Sequence, residues 1–205
     1  MKIHAFTHSA GRPTNEDTFF LYNHNNKIVG TNHSELSIST DSYPLTIAVL
    51  DGVGGHELGG EAAQLIAHNV IQNPIDTHNL ETVLTKANDR LCSQPHHGFT
   101  TITALQIASP DRASFISCGD SRLYLIKEQQ LIQLSCDDST AWILYHHPLY
   151  PFPETLSLPL AGNSVCCHKN PDSTPRGISR ISPKLPETQS TLLFLFSSHS
   201  TSFQA

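Results

Sequence analysis

Positive charge, long apolar runs and charged groups of any kind are all scarce in this chain. Its 205 residues carry 12 Lys and Arg against 18 Asp and Glu, a net charge of −6. Nucleic-acid binding rests on neutralising phosphates with basic side chains, and a mildly acidic chain is a poor match for it. No run of about 18 apolar residues occurs, so no membrane-spanning helix is expected. The first nine residues are too polar for the apolar core of a secretion signal. The five cysteines are odd in number, and with no signal before them a reducing, cytoplasmic setting is expected. Cys166-Cys167-His168 lacks the spacing of zinc ligands. Internal repeats are absent.

Charged residues make up 15% of the chain, below the roughly 25% usual in globular domains. They are unevenly spread. Residues 1–140 hold 15 acidic and 8 basic groups, whereas residues 141–205 hold only 3 acidic and 4 basic. Eight of the 13 prolines fall between Pro148 and Pro186. Three segments are therefore expected: a folded core over 1–140, a Pro-rich divergent segment over 141–190, and a late strand with a shortened end over 191–205.

Within the first segment, Asp17–Tyr22 and Leu45–Asp51 read as strands, the second apolar enough to be buried on both faces. The second runs into Asp51-Gly-Val-Gly-Gly55, a glycine-rich loop. Leu58, Ala62, Leu65, Ile66 and Val70 then recur at helical spacing up to Pro74. Leu80, Val83, Leu84, Ala87 and Leu91 mark a second helix packed beside the first. Thr100–Ile107, Ala113–Cys118, Arg122–Lys127 and Gln130–Leu134 read as strands joined by short turns, which predicts an antiparallel meander. Thr191–Phe196 reads as one more strand. Strands, two helices and further strands indicate an α+β domain with helices layered on sheet.

Four polar clusters could carry chemistry. Arg12, Asn15, Glu16 and Asp17 stand at a strand entry, and Asp51 with Gly52 at a strand exit. Gly119-Asp120-Ser121-Arg122 and Asp137-Asp138-Ser139 follow other strands. Carboxylates at strand ends beside glycine turns suit hard divalent cations, which take oxygen ligands. Each cluster taken singly is equally ordinary turn chemistry.

Their order resembles the PPM (type 2C) metal-dependent serine/threonine phosphatases, in a bacterial style. Arg12-Pro-Thr-Asn-Glu16-Asp17 is similar to the opening motif, and Asp51-Gly-Val-Gly-Gly-His-Glu-Leu-Gly-Gly-Glu61 to the central one. Gly98-Phe-Thr-Thr101, Cys118-Gly-Asp-Ser-Arg122 and Ser135-Cys-Asp137-Asp-Ser139 resemble the next three in order. The resemblance implies a four-layer α/β/β/α sandwich. It also implies two Mn2+ or Mg2+ ions activating a water for attack on phosphoserine or phosphothreonine in a protein. Asp51 would bridge the ions, Glu16 and the Gly52 carbonyl would serve one of them, and Asp17 would orient bound waters. Asp120 would contribute to a third ion, and Arg12 would hold the phosphate. His56 would be a loop residue, with Glu57 and Glu61 in the first turn of a helix. The implied partners are phosphorylated proteins, with a serine/threonine kinase or its targets.

The family's late strand ends in Ser-Asp-Gly, whereas Ser197, Ser198 and His199 stand here. That departure keeps two further readings open: a catalytically inactive binding module for phosphoproteins, and a shortened product without function.

Overall fold

The structure, a computed structural model, describes residues 1–9, 11–53, 58–127, 129–137 and 191–195. The 141–190 segment, His56, Glu57, Asp138, Ser139, the Cys166-Cys167-His168 run and Ser197–His199 lie outside the described residues, and the division into three segments rests on sequence alone.

The centre is a five-stranded antiparallel sheet in the order β3-β2-β5-β6-β7, built from Asp17–Tyr22 (β2), Lys27–Thr31 (β3), Leu45–Asp51 (β5), Ile102–Ser109 (β6) and Arg112–Cys118 (β7). β2 and β5 match their expected bounds to the residue. Both are apolar, and both lie inside the sheet.

Alternation along these strands divides the side chains between two cores. Phe20 and Tyr22 of β2, Ala48 and Leu50 of β5, and Ala104 of β6 face the helices. Helix α1 (Gly59–Gln72) buries Ala62, Ala63, Ile66, Ala67 and Val70 there. Its three alanines let the helix axis approach the sheet closely, and Pro74 lies just beyond its end. Helix α2 (Leu80–Cys92) adds Leu80, Val83, Ala87 and Leu91. The connection between the helices is anchored to the sheet: the Ile75 N–H donates to Tyr22 Oη at 3.2 Å, and Gln106 Nε2 donates to the Asp76 carbonyl at 2.9 Å.

One buried hydroxyl beside this core is unmatched. Thr18 is fully buried in β2, and its Oγ1 has no hydrogen-bond partner. Replacing an unpaired buried hydroxyl with a methyl group of the same shape removes a desolvation cost. Thr18→Val should therefore raise the unfolding free energy by about 1 kcal/mol, seen as a higher urea midpoint.

The opposite sheet face carries Leu21, Leu45, Leu105, Ile107 and Phe115. Against it pack Ile3, Leu36 and Ile38 from the ribbon of β1 (Lys2–Phe6) and β4 (Glu35–Ser39), and Leu123 from β8 (Arg122–Lys127). β8 lies between β9 (Gln130–Gln133) and β10 (Thr191–Leu195).

This corrects the expected meander. A meander would set β8 beside β7, but the Gly119–Ser121 turn carries the chain out of the first sheet, and β8 pairs only with β9 and β10. Strands β1, β3 and β4 are additions to the sequence-based reading. The described residues form three layers, helices on sheet on strands, within an α+β fold. A second helical layer has no counterpart among them. Among the described residues, no helix is long and apolar enough to cross a membrane.

Candidate metal and phosphate site

The antiparallel register of β2 and β5 places Asp17 directly opposite Asp51. Paired residues project to the same face of a sheet. Here that is the face carrying Leu21 and Leu45, turned toward the second layer of strands. The two carboxyls are half-buried and act on each other's ionisation. Burial is the largest cause raising the Asp51 pKa to about 8, with the Asp17 and Asp120 charges adding to it and Arg12 opposing it. Asp17 is also raised, chiefly by burial, with Arg12 pulling the other way. The protein therefore concentrates negative charge where water cannot disperse it, and near neutral pH the pair retains a proton.

Glu16 stands beside this pair. Its carbonyl accepts from the Gly52 N–H at 3.2 Å, which ties the entry of β2 to the exit of β5. Asn15 orders the same entry: Asn15 Oδ1 accepts from the Asp17 N–H at 3.0 Å, and its Nδ2 donates to Thr7 Oγ1 at 2.7 Å and to the Asn32 carbonyl. Gly52 is buried and bridges to Thr100. Arg12 is exposed, one residue after the left-handed Gly11, and close enough to act electrostatically on both aspartates.

The expected site residues Arg12, Glu16, Asp17, Asp51, Gly52 and Asp120 are thus brought to one end of the central sheet. Their donors are all hard oxygens apart from the Arg12 guanidinium, and this chemistry fits Mg2+ or Mn2+. Among the described residues, no three or more His, Cys, Asp or Glu side chains gather closely enough to hold an ion by themselves. Waters and substrate oxygens would have to complete any coordination shell, as is common for Mg2+.

The later motifs hold the frame. Arg122 makes a fork on Asp137, with Nε to Oδ1 at 2.8 Å and Nη2 to Oδ2 at 2.5 Å. Ser135 Oγ accepts from the Leu123 N–H at 2.9 Å. The Arg122 side chain is 41% exposed and that of Asp137 11%. This asymmetry orders two substitutions. Arg122→Ala strands a largely buried carboxylate and should cost about 2–3 kcal/mol, whereas Asp137→Ala leaves an arginine that water can reach and should cost about 1 kcal/mol. Urea denaturation of both variants checks the order.

Reading the sequence for charge missed a set of buried hydroxyls behind the site. Thr100 Oγ1 donates to the Asp51 carbonyl at 3.0 Å, and Thr101 Oγ1 accepts from the Asp51 N–H at 3.1 Å. Thr101 Oγ1 also meets Ser121 Oγ at 2.6 Å. The Gly-Phe-Thr-Thr motif was the available signal, although threonines in a strand ordinarily mark only β propensity.

No protein-family model matches the chain, and no curated protein matches it. Solved structures do resemble it. The similarity to PppA, described as a key regulatory component of T6SS in Pseudomonas aeruginosa, covers 96% of this chain and 72% of that one, at 20% identity and a TM-score of 0.53. That to the serine/threonine phosphatase Stp1 from Staphylococcus aureus covers 94% and 70%, at 16% identity and 0.51. That to the catalytic domain of the serine/threonine protein phosphatase PstP, in complex with two manganese ions, covers 95% and 71%, at 20% identity and 0.50. The chain has the fold of the PPM-type serine/threonine phosphatases.

Proposed function

We propose that the chain hydrolyses phosphoserine or phosphothreonine in proteins, with Mn2+ or Mg2+ at the Asp17–Asp51 end of the sheet. The observation that carries this reading is the register of β2 and β5, which sets two half-buried carboxyls face to face beside Glu16 and Gly52. A pair sharing a proton is electrostatically frustrated, and a divalent cation relieves that strain better than a proton does. Bound there, the ions would supply an acidified water and neutralise charge on the phosphoryl oxygens.

The protein's own groups do the rest. Asp51, as a carboxylate, would be a ligand held in common by the ions. Asp17 would orient waters, Glu16 and the Gly52 carbonyl would hold one ion, and Asp120 would contribute to holding a third. The exposed Arg12 offers a planar fork to the phosphate. The substrates in this reading are phosphoproteins, including a serine/threonine kinase or its targets, in the cytoplasm.

Hydrolysis of p-nitrophenyl phosphate by the purified chain tests the proposal. Turnover that requires Mn2+ and disappears with a chelator is the expected result. No turnover from a cooperatively melting protein would replace it with a second reading, in which the chain binds phosphoproteins without hydrolysing them. That reading draws on the absence of a carboxylate at Ser197–His199 and on the sparse ligand set among the described residues.

A further inference from the structure

Behind the acidic end of the sheet lies a row of hydroxyls where apolar side chains would ordinarily pack. Thr101, Thr103, Ser117 and Ser121 are all at most 3% exposed. Thr103 Oγ1 donates to the Ser121 carbonyl at 2.7 Å and lies 3.1 Å from Ser117 Oγ. A hydroxyl has one proton, so Ser117 is the donor in the second contact.

Thr101 is the junction of this row. Its backbone N–H donates to the Asp51 carbonyl at 2.9 Å, and its Oγ1 accepts from the Asp51 N–H at 3.1 Å. Both backbone polar groups of Asp51 are thereby held by one residue. On its other side, Thr101 Oγ1 is 2.6 Å from Ser121 Oγ. The Thr101 methyl also fills the space at Gly119, where an added Cβ would lie only 2.7 Å from Cγ2. Gly119 has a φ of +102°, a conformation that side-chain-bearing residues rarely adopt. Gly119 and Ser121 flank Asp120, so the turn carrying Asp120 rests on Thr101 from both sides.

We infer that Thr101 is a positioning residue that sets the spacing between Asp51 and the Gly119–Ser121 turn, and with it the spacing of Asp51 and Asp120 as cation ligands. The bond to Ser121 spans the point where the chain leaves the central sheet, and together with the Thr103 hydroxyl, which holds the Ser121 carbonyl, it couples the two layers at the site. The cation-binding part of this inference rests on the proposed function. The coupling itself does not.

Two measurements on Thr101→Val, Thr101→Ser and Ser121→Ala separate these parts. Amide hydrogen exchange of the metal-free protein reads the coupling. In Thr101→Val, the Asp51 amide and those of residues 119–121 should exchange at least about tenfold faster, while those of Phe20 and Ala48 are unchanged. Thr101→Ser, which keeps the hydroxyl, should restore most of the protection. Calorimetric titration with Mn2+ reads the consequence. Affinity should fall about tenfold or more in Thr101→Val, recover in Thr101→Ser, and fall less in Ser121→Ala, which leaves the Asp51 contact intact.

Parent-like exchange in a folded Thr101→Val overturns the inference, and so does parent-like Mn2+ affinity. Should Thr101→Val not fold, Ser121→Ala decides it on the same two readouts. A parent protein that takes up no Mn2+ overturns the proposed function, and the exchange data then decide the coupling alone.

Discussion

Asp51→Asn should abolish Mn2+-dependent p-nitrophenyl phosphate hydrolysis, lowering turnover by about a thousandfold or more, and should also make the metal-free protein more stable at alkaline pH. The first effect follows from place. Asp51 ends β5 opposite Asp17, with its backbone held by Thr100 and Thr101, so its carboxyl is the most fixed acidic donor of the site. An amide cannot supply the charge that compensates a divalent cation in a half-buried position.

The second effect follows from the sign of the pKa shift. The Asp51 carboxyl is raised from 3.8 to about 8, first by burial and then by its acidic neighbours. Below the unfolded value both states are protonated and nothing is lost. As pH rises toward 8, the unfolded chain releases this proton while the folded chain still holds it, so stability falls throughout that interval. The metal-free parent should therefore melt lower at pH 8 than at pH 5, and Asp51→Asn should remove much of the difference. In that variant the melting temperature at pH 8 should exceed the parent's by several degrees, roughly 2–4 °C for each 1 kcal/mol recovered in a chain of this length. Mn2+ should reverse the order, stabilising the parent and leaving the variant unmoved. A variant that loses activity without gaining alkaline stability would place its defect in folding rather than in the site.

The elements legible from sequence were those whose pattern is local. β2, β5 and β8 are six- or seven-residue runs of apolar and β-branched side chains, and α1 and α2 repeat apolar residues at helical spacing. β1, β3 and β4 escaped notice because each has only five residues, at most one of them buried, and in β3 that one is Gly30. Such strands owe their form to the neighbours they pair with, which no short window contains. Gly119-Asp120-Ser121 reads as a hairpin turn for the same reason. Its residues suit a tight reversal, and only the pairing of β8 with β9 and β10 shows that the chain changes layers there. The site divides along the same line. Asp17 and Asp51 were visible as carboxylates at strand ends, whereas their direct opposition is a matter of register between two residues 34 positions apart in the chain. Thr101 was legible as a strand residue and as the end of the Gly98-Phe-Thr-Thr101 motif, but its role depends on Ser121 and Gly119 closing on it from another layer.

Gly52→Ala should be among the most damaging small substitutions in the fold, beside Gly98→Ala, and Gly60→Ala, eight residues on from Gly52, one of the most benign. A Cβ at position 52 would lie 2.5 Å from the Gly59 carbonyl carbon, 2.6 Å from its oxygen and 2.8 Å from the Glu16 carbonyl oxygen. All three are backbone atoms, so no side chain can turn aside. Relief requires moving either the first turn of α1 or the entry of β2, and the latter carries Glu16 and Asp17. Overpacking costs about 1–3 kcal/mol where side chains can yield, and a backbone-locked clash belongs at or beyond the upper end. The variant should melt at least about 6 °C lower, if it folds, and bind Mn2+ weakly. At Gly60 an added Cβ meets its nearest atom, Glu16 Cα, at 3.4 Å, an ordinary contact. Within a helix, alanine is favoured over glycine by roughly 0.5–1 kcal/mol, so Gly60→Ala should hold or raise the melting temperature. Thermal melts of the two variants side by side test whether the strand end is closed on the helix by glycine contact. Parent-like melting of Gly52→Ala would mean that α1 stands farther from β5 than these distances place it, and that the Asp51 end of the sheet is more open than the fold requires.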